Sequence, residues 1–382
     1  MTHDALAEAP ILEPRVRLVE PAREYRAHED DLRAACERVL ARMQLLGGDE
    51  LGASEREMAT YLGVEHVRGV ASGTDALTLA ARAAGVQPGY EVLIQANVFV
   101  AAIEALSAVG ACPVPIDVRL DDLGPDPDDM ASRITPRTRA IRVVHLYGLP
   151  VDLEPIVALA RERHLILLED CSHAHGARYD GRRVGGFGAA SAFSLGVVKN
   201  LAAYGDAGLV TTTDAALATH LRLARNHGQT QKYRHAELGW TARLDELQAA
   251  ILRVKLRHLP AWTLARQAVA ARYNDGLAGL PLVLPAERPG ATHVFHQYTI
   301  RTPRRDALAA HLAAAGIGTS CHYPLPIPAQ PMFRDLGYDA SAYPAAWAAA
   351  REVLSLPCFP ELRPDEIDSV VAAVRSFFDG DS

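Results

Sequence analysis

From Val67 onward, short apolar runs alternate with amphipathic stretches of helical spacing. The order is TDALTLAARAAG, EVLIQA, VFVAAIEALSAVG, CPVPIDV, AIRVVHLYG, VDLEPIVALARER, HLILLEDC, AASAFSL and AGLVTTT. Runs too apolar for a half-wet strand, separated by helices, predict an α/β fold with a mostly parallel sheet between helical layers. Ahead of it, residues 27–62 read as helical, with apolar residues at helical spacing through LRAACERVLARM. LDELQAAILRVKLRHLPAWTLARQAVAARYNDGL predicts a long connecting helix, broken or bent at Pro260. Beyond it, strand-like FHQYTI and the helical stretches RDALAAHLAAAG and PDEIDSVVAAVRSFF predict a smaller α+β C-terminal domain. The division expected is 1–255 for a large domain with an N-terminal arm and 256–382 for the linking helix and small domain.

In such a sheet, ligands collect at the carboxyl ends of the strands. HLILLEDC ends there with two acids, and SAFSL ends just before Lys199. Lysine is scarce, occurring only at Lys199, Lys232 and Lys255. Lys232 in QTQKYRH and Lys255 in AILRVKLRHL read as surface charges, the second with its stem packed and its ammonium in water. Lys199 differs, because apolar and small residues flank it and no carboxylate lies within six positions on either side. Such a setting lowers an amine's pKa and suits Schiff-base chemistry, although a snorkelling lysine is the blander reading.

Three further features bear on this chemistry. ASGTDALTLA sets Ser72, Gly73 and Thr74 at a helix start, where unpaired N–H groups hold a phosphate or merely cap the helix. Asp170 ends a buried strand and needs a cationic partner or several hydrogen bonds, which a pyridinium nitrogen or a structural role would supply. His173 and His175 with Asp170 make a D-x-x-H-x-H pattern, a lesser metal-binding alternative. GDAG, residues 205–208, reads as a turn.

Bulk properties narrow the partners. A formal net charge of -7 with no basic block leaves no face for nucleic-acid phosphates. The N-terminal sequence is acidic where a secretory signal is basic, and no run reaches the length of a membrane span, so a cytoplasmic location is expected. The five cysteines are scattered and never spaced as C-x-x-C, which argues for reduced, structural thiols.

Taken in order, SGTDAL, EDCSHAHGA, FSLGVVKN, GDAG, RNHG, RLDELQAA and HYPLP resemble the DegT/DnrJ/StrS-type sugar aminotransferases, from about Leu46 to the C-terminus. The resemblance implies the fold type I architecture of pyridoxal-phosphate (PLP) transferases, with a seven-stranded sheet, and a homodimer whose active site lies between subunits. It implies that Lys199 carries the cofactor aldehyde and that Asp170 pairs with its ring nitrogen. Gly73, Thr74, Asp75 and the Ser194 hydroxyl would hold the phosphate, and Phe99 would stack on the ring. A related dehydratase branch has His in place of the lysine, so Lys199 speaks for transamination from glutamate. GDAG resembles the branch acting on nucleotide-linked (dTDP) 3-keto deoxyhexoses in natural-product or cell-surface sugar biosynthesis. A keto cyclitol, a 4-keto sugar, or a non-catalytic regulatory role are the alternatives. Three positions depart from the family. His173 stands where Gln is usual and brings a titratable ring near the cofactor, with an expected effect on the pH profile. Thr241 replaces an Asn that reaches the phosphate of the neighbouring subunit. Pro328 replaces a common His in the loop whose His322 and Tyr323 are expected to border the substrate.

Overall fold

The computed structural model describes residues 14–380. The N-terminal helical region is not one helix: α1 (Pro21–Ala27), α2 (Glu29–Arg42) and α3 (Asp49–Leu62) are separate. Met43 ends α2 in the left-handed region, and the Gly47–Gly48 pair lets the chain turn before α3.

The six runs expected as strands, with the strand His66–Val70 ahead of them, form a seven-stranded sheet. Its members are β1 (His66–Val70), β2 (Glu91–Gln95), β3 (Cys112–Ile116), β4 (Thr138–Val144), β5 (Ile166–Asp170), β6 (Ala190–Ser194) and β7 (Gly208–Thr212), ordered β1-β7-β6-β5-β4-β2-β3. Only β7 runs against its neighbours. Every residue of β2 and of β7 is buried, because helices cover both faces. On one face α4 (Gly73–Ala83), α5 (Ala101–Ala108) and α8 (Ala215–Ala224) supply Leu77, Ile103, Leu106 and Leu221 to the core. On the other, α3, α6 (Pro127–Ser132), α7 (Leu153–Glu162) and α9 (Glu246–Leu277) supply Met58, Met130, Ile156 and Leu252.

Helix α9 continues through Pro260 rather than ending there. Proline removes one i to i−4 hydrogen bond, but Leu256 and Leu259 before it lie in the sheet core, and Val269, Tyr273 and Leu277 after it lie in a second core. Burial at both ends holds the helix across the defect. The second core closes around the antiparallel pair β8 (Tyr298–Arg301) and β9 (Val353–Leu356), with α10 (Arg305–Ala314) and α12 (Pro364–Asp379). Helix α11 (Pro344–Glu352) returns to the large core through Ala349.

Lys255 is not a surface charge. It is 1% exposed, pairs with Glu24 of α1 at 2.7 Å, and lies 4.0 Å over the Tyr204 ring. A buried ammonium survives only with such a partner, and the helical pattern could not show that α1 folds back to supply it. Lys232 is exposed, as expected.

Candidate active site

Four strand ends open on one cavity of about 220 Å³, lined by Ser72, Gly73, Phe99, Asp170, Ser194, Lys199 and Tyr323 among others. After β1, the Ser72 hydroxyl caps α4 by accepting from the Asp75 N–H at 3.0 Å. It also donates to the Asp75 carboxylate at 2.9 Å, so Asp75 is spent on holding Ser72 and does not line the cavity. Gly73 and Thr74, at the first helical turn, do line it. A Cβ on Gly73 would lie 2.6 Å from that of Ser194, so glycine is what lets the end of β6 approach the helix start. Gly208 of the GDAG stretch has the same role, since a Cβ there would meet the Ser72 carbonyl at 2.2 Å. The turn expected for this stretch uses Gly205, at φ +144; Gly208 is required by close approach instead.

Period-two alternation sends the two acids ending β5 to opposite faces. Asp170 is 5% exposed and lines the cavity; among the described residues its carboxylate's one hydrogen bond comes from the Ser172 N–H at 3.0 Å. Glu169 points away and is saturated. It accepts from the backbone N–H of Gly185, Phe187 and Gly188, from the Ser191 hydroxyl, and from His145 Nε2 at 3.2 Å. Burial opposes its charge, yet the His145 bond and the loop amides hold its pKa at about 2. His145, Glu169 and Cys171 are the one group of three such donors within 4.8 Å of one another among the described residues. It does not fit a metal: Val151 N–H occupies His145 Nδ1, and the other imidazole nitrogen faces Glu169. Asp170, His173 and His175 do not converge in this way.

Glu169→Gln leaves the shape and removes the charge from this ring of donors, at an expected cost of about 3–5 kcal/mol in denaturant unfolding near neutral pH. The folded pKa lies below the unfolded value of about 4.3. The stabilisation is therefore complete above that pH and lost as pH falls towards 2, so the gap between variant and wild type should close in acid.

Lys199 follows β6 in a tight turn, its N–H on the Gly196 carbonyl at 2.9 Å. Burial lowers its amine to about 8, while Asp170 acts in the opposite direction. At pH 7 about a tenth of such an amine is neutral, against about four parts in ten thousand for an ordinary lysine. Asn200 anchors the turn, donating to the Val294 carbonyl and accepting from His296 Nδ1, both at 3.1 Å. Beneath the cavity, the Arg142 guanidinium is fully buried and bonds the carbonyls of Ala102 and Leu77, tying α5 to α4.

His173 lines the cavity, but it does not titrate near neutrality as its sequence position suggested. Burial, with Lys199, His322 and His175 nearby, pushes its pKa well below 6.5. Its Nδ1 accepts from the Tyr147 N–H at 3.3 Å, so the neutral ring carries its proton on Nε2. It is a fixed donor. Phe99 is 54% exposed at the mouth, with Tyr323 tilted against it at 5.6 Å. His322 stands behind, its Nδ1 bonded to Ser355 Oγ at 2.9 Å, and burial takes its pKa down to about 4. Pro328 is buried in a short turn tied to the residue after β2 by the Ile327 N–H and Ala96 carbonyl. Thr241 is exposed, bonded to His227, and lies outside this cavity.

Arg142, Tyr147 and Glu169 were not foreseen. An arginine inside an otherwise apolar strand and a second acid beside Asp170 were the available signals, since a buried charge needs a partner.

The arrangement offers a neutral-prone amine, a facing carboxylate, a helix N-terminus and an aromatic lid in one cavity. Comparison with known proteins finds similarity over almost the whole chain. A "dTDP-3-amino-3,4,6-trideoxy-alpha-D-glucose transaminase" from Streptomyces venezuelae is 44% identical over 365 residues, covering 95% of this chain and 96% of that protein. A "pleiotropic regulatory protein" from Geobacillus stearothermophilus is 40% identical, covering 95% and 98%. The crystal structure of S. venezuelae DesV in complex with a ketimine intermediate superposes with a TM-score of 0.94 at 44% identity, over 96% of this chain and 99% of that one. Residues 26–375 match the model of the DegT/DnrJ/EryC1/StrS aminotransferases, and with a fold that agrees, the chain belongs to that family.

Proposed function

We propose that this aminotransferase uses PLP to move an amino group from glutamate to a nucleotide-linked 3-keto deoxyhexose, working as a homodimer in the cytoplasm. The observation that carries the reading is a buried amine with a pKa near 8 sharing a cavity with a buried carboxylate. The residues present fit PLP. Gly73 leaves a cradle that a Cβ would fill, and its N–H, with Thr74 and the Ser194 hydroxyl, suits a phosphate. Asp170 suits a protonated pyridine nitrogen, His173 Nε2–H the 3-oxygen, and Phe99 the ring face.

When bound, PLP supplies an electron sink for the carbon that loses its proton. Lys199 does the proton work. With the group bound, the Lys199 Nζ would accept the proton from the donor carbon and hold it for return, and the same amine would serve the keto substrate in the reverse direction. Asp170 would hold the proton on the ring nitrogen, and the aromatic pair Phe99 and Tyr323 limits water at the mouth.

The 3-keto nucleotide sugar is supported by the S. venezuelae relative, whose name specifies a dTDP-linked 3-amino sugar. The regulatory name of the G. stearothermophilus relative favours a second reading without turnover. Lys199 and Asp170 together in the cavity speak against that reading. Homodimerisation is supported by the stretch 229–240, where Tyr233 and Leu238 are each 83% exposed, as a surface meant to be covered. There Thr241 would reach the cofactor phosphate of the other subunit. No helix among the described residues is long and apolar enough to cross a membrane.

The test is to load the protein with pyridoxamine phosphate and offer dTDP-linked 3-keto and 4-keto sugars and keto cyclitols. Recovery of PLP absorbance is expected fastest with a 3-keto nucleotide sugar. Preference for a cyclitol would replace the substrate assignment, and no PLP absorbance with any donor or acceptor would leave the regulatory reading.

A further inference from the structure

Tyr147 follows β4 in a single helical turn, residues 146–148, and is 7% exposed. Its φ of 58 puts a bulky side chain in the left-handed region, a conformation that costs about 1–3 kcal/mol and persists where the surroundings impose it. The surroundings do so here. A Cβ on the next residue, Gly148, would meet Val294 Cγ2 at 2.9 Å, and the His173 carbonyl and His296 N at 3.0 Å.

The strained turn directs three polar groups of one residue to three segments. The Tyr147 N–H donates to His173 Nδ1, which fixes the donor on the cavity side of that ring. Its carbonyl accepts from the Gln297 N–H at 3.2 Å, where the chain enters β8. Its hydroxyl donates to the His322 carbonyl, immediately before Tyr323 of the cavity wall. Burial, with Tyr323 and Cys321 close by, raises the phenol's pKa well above 10, so the hydroxyl remains a donor. On its far side, His322 is held by Ser355 of β9.

We propose that Tyr147 is a positioning residue with two separable outputs: its backbone N–H sets the His173 donor for the cofactor, and its hydroxyl sets the Tyr323 wall for whichever substrate occupies the cavity. It touches neither reactant itself. The inference rests on the aminotransferase reading of the site and concerns how substrate saturation is set within it.

Tyr147→Phe removes the hydroxyl and leaves the backbone N–H. Cofactor affinity, the visible spectrum of bound PLP and its pH dependence should match wild type. The concentration of L-glutamate, or of whichever amino acid wild type accepts, that half-saturates the single half-reaction should rise about tenfold, with the limiting rate within about twofold. Ser355→Ala loosens the same turn from its other side. It should raise the same constant, and with Tyr147→Phe it should raise it less than the product of the two effects. Unchanged half-saturation in both variants overturns the proposal, and so does a shift in PLP spectrum or affinity that accompanies the change. If Tyr147→Phe does not accumulate folded, Ser355→Ala decides by the same two readouts. The amino-acid half-reaction needs no keto sugar, so failure of the sugar assignment would show separately, as a wild-type enzyme that accepts the donor and none of the sugars.

Discussion

Lys199→Ala is expected to lower transamination by about 10,000-fold or more, because in the proposed mechanism one amine both carries the cofactor and moves the proton, and groups that act as a unit fail as a unit. The fold should survive. The lysine sits in a turn held by its backbone N–H and by Asn200, and neither contact uses its side chain. Removing a buried ammonium that burial disfavours should cost little stability, so the thermal midpoint is expected to stay within a few degrees. Two measurements check the assignment: steady-state turnover with a competent substrate pair, and borohydride reduction followed by peptide mapping. The label should fall on Lys199 in wild type and on no lysine in the variant. Lys255 is the natural control, being 1% exposed but locked to Glu24 outside the cavity. Appreciable turnover by Lys199→Ala, or label on Lys255, would remove the chemical basis of the site.

The contrast between these two lysines shows what was legible in the sequence. Local context separated Lys199 from ordinary surface lysines, because a mostly parallel sheet puts strand ends and their following turns in one place. The same local reading misjudged Lys255, whose partner lies more than two hundred residues away in α1. Asp170 was legible as a strand-end acid, whereas Glu169 beside it gave no sign of which face each would take. Period two fixes that they differ, and only the folded sheet fixes which faces the cavity. Pro260 was a sound local signal overridden by burial of both halves of α9. Tyr147 was invisible for another reason: nothing in HLYG announces a left-handed tyrosine, which is imposed by segments 173 and 294–296. Contacts made within a segment were readable, and contacts between distant segments were not.

Asp170→Asn should lower turnover by about 1000-fold with the fold kept. A carboxylate about 4 Å from a pyridinium at an effective dielectric near 20 is worth roughly 4 kcal/mol, or about three powers of ten in rate if that charge matters only while the carbon is deprotonated. An amide of the same shape still accepts the Ser172 N–H, so the loss is electrostatic rather than steric. A second consequence needs no substrate. Asp170 is the group that holds the Lys199 amine up against burial, so without its charge the pKa of that amine in the cofactor-free protein should fall below about 8. The sign runs opposite to what a merely destabilised variant would show, since loosening the cavity would hydrate the amine and raise its pKa. Titrating the rate at which Lys199 is modified by a small aldehyde therefore separates the two cases: a profile displaced to lower pH together with slow turnover places the carboxylate beside the amine, while a profile displaced to higher pH attributes the lost activity to disorder.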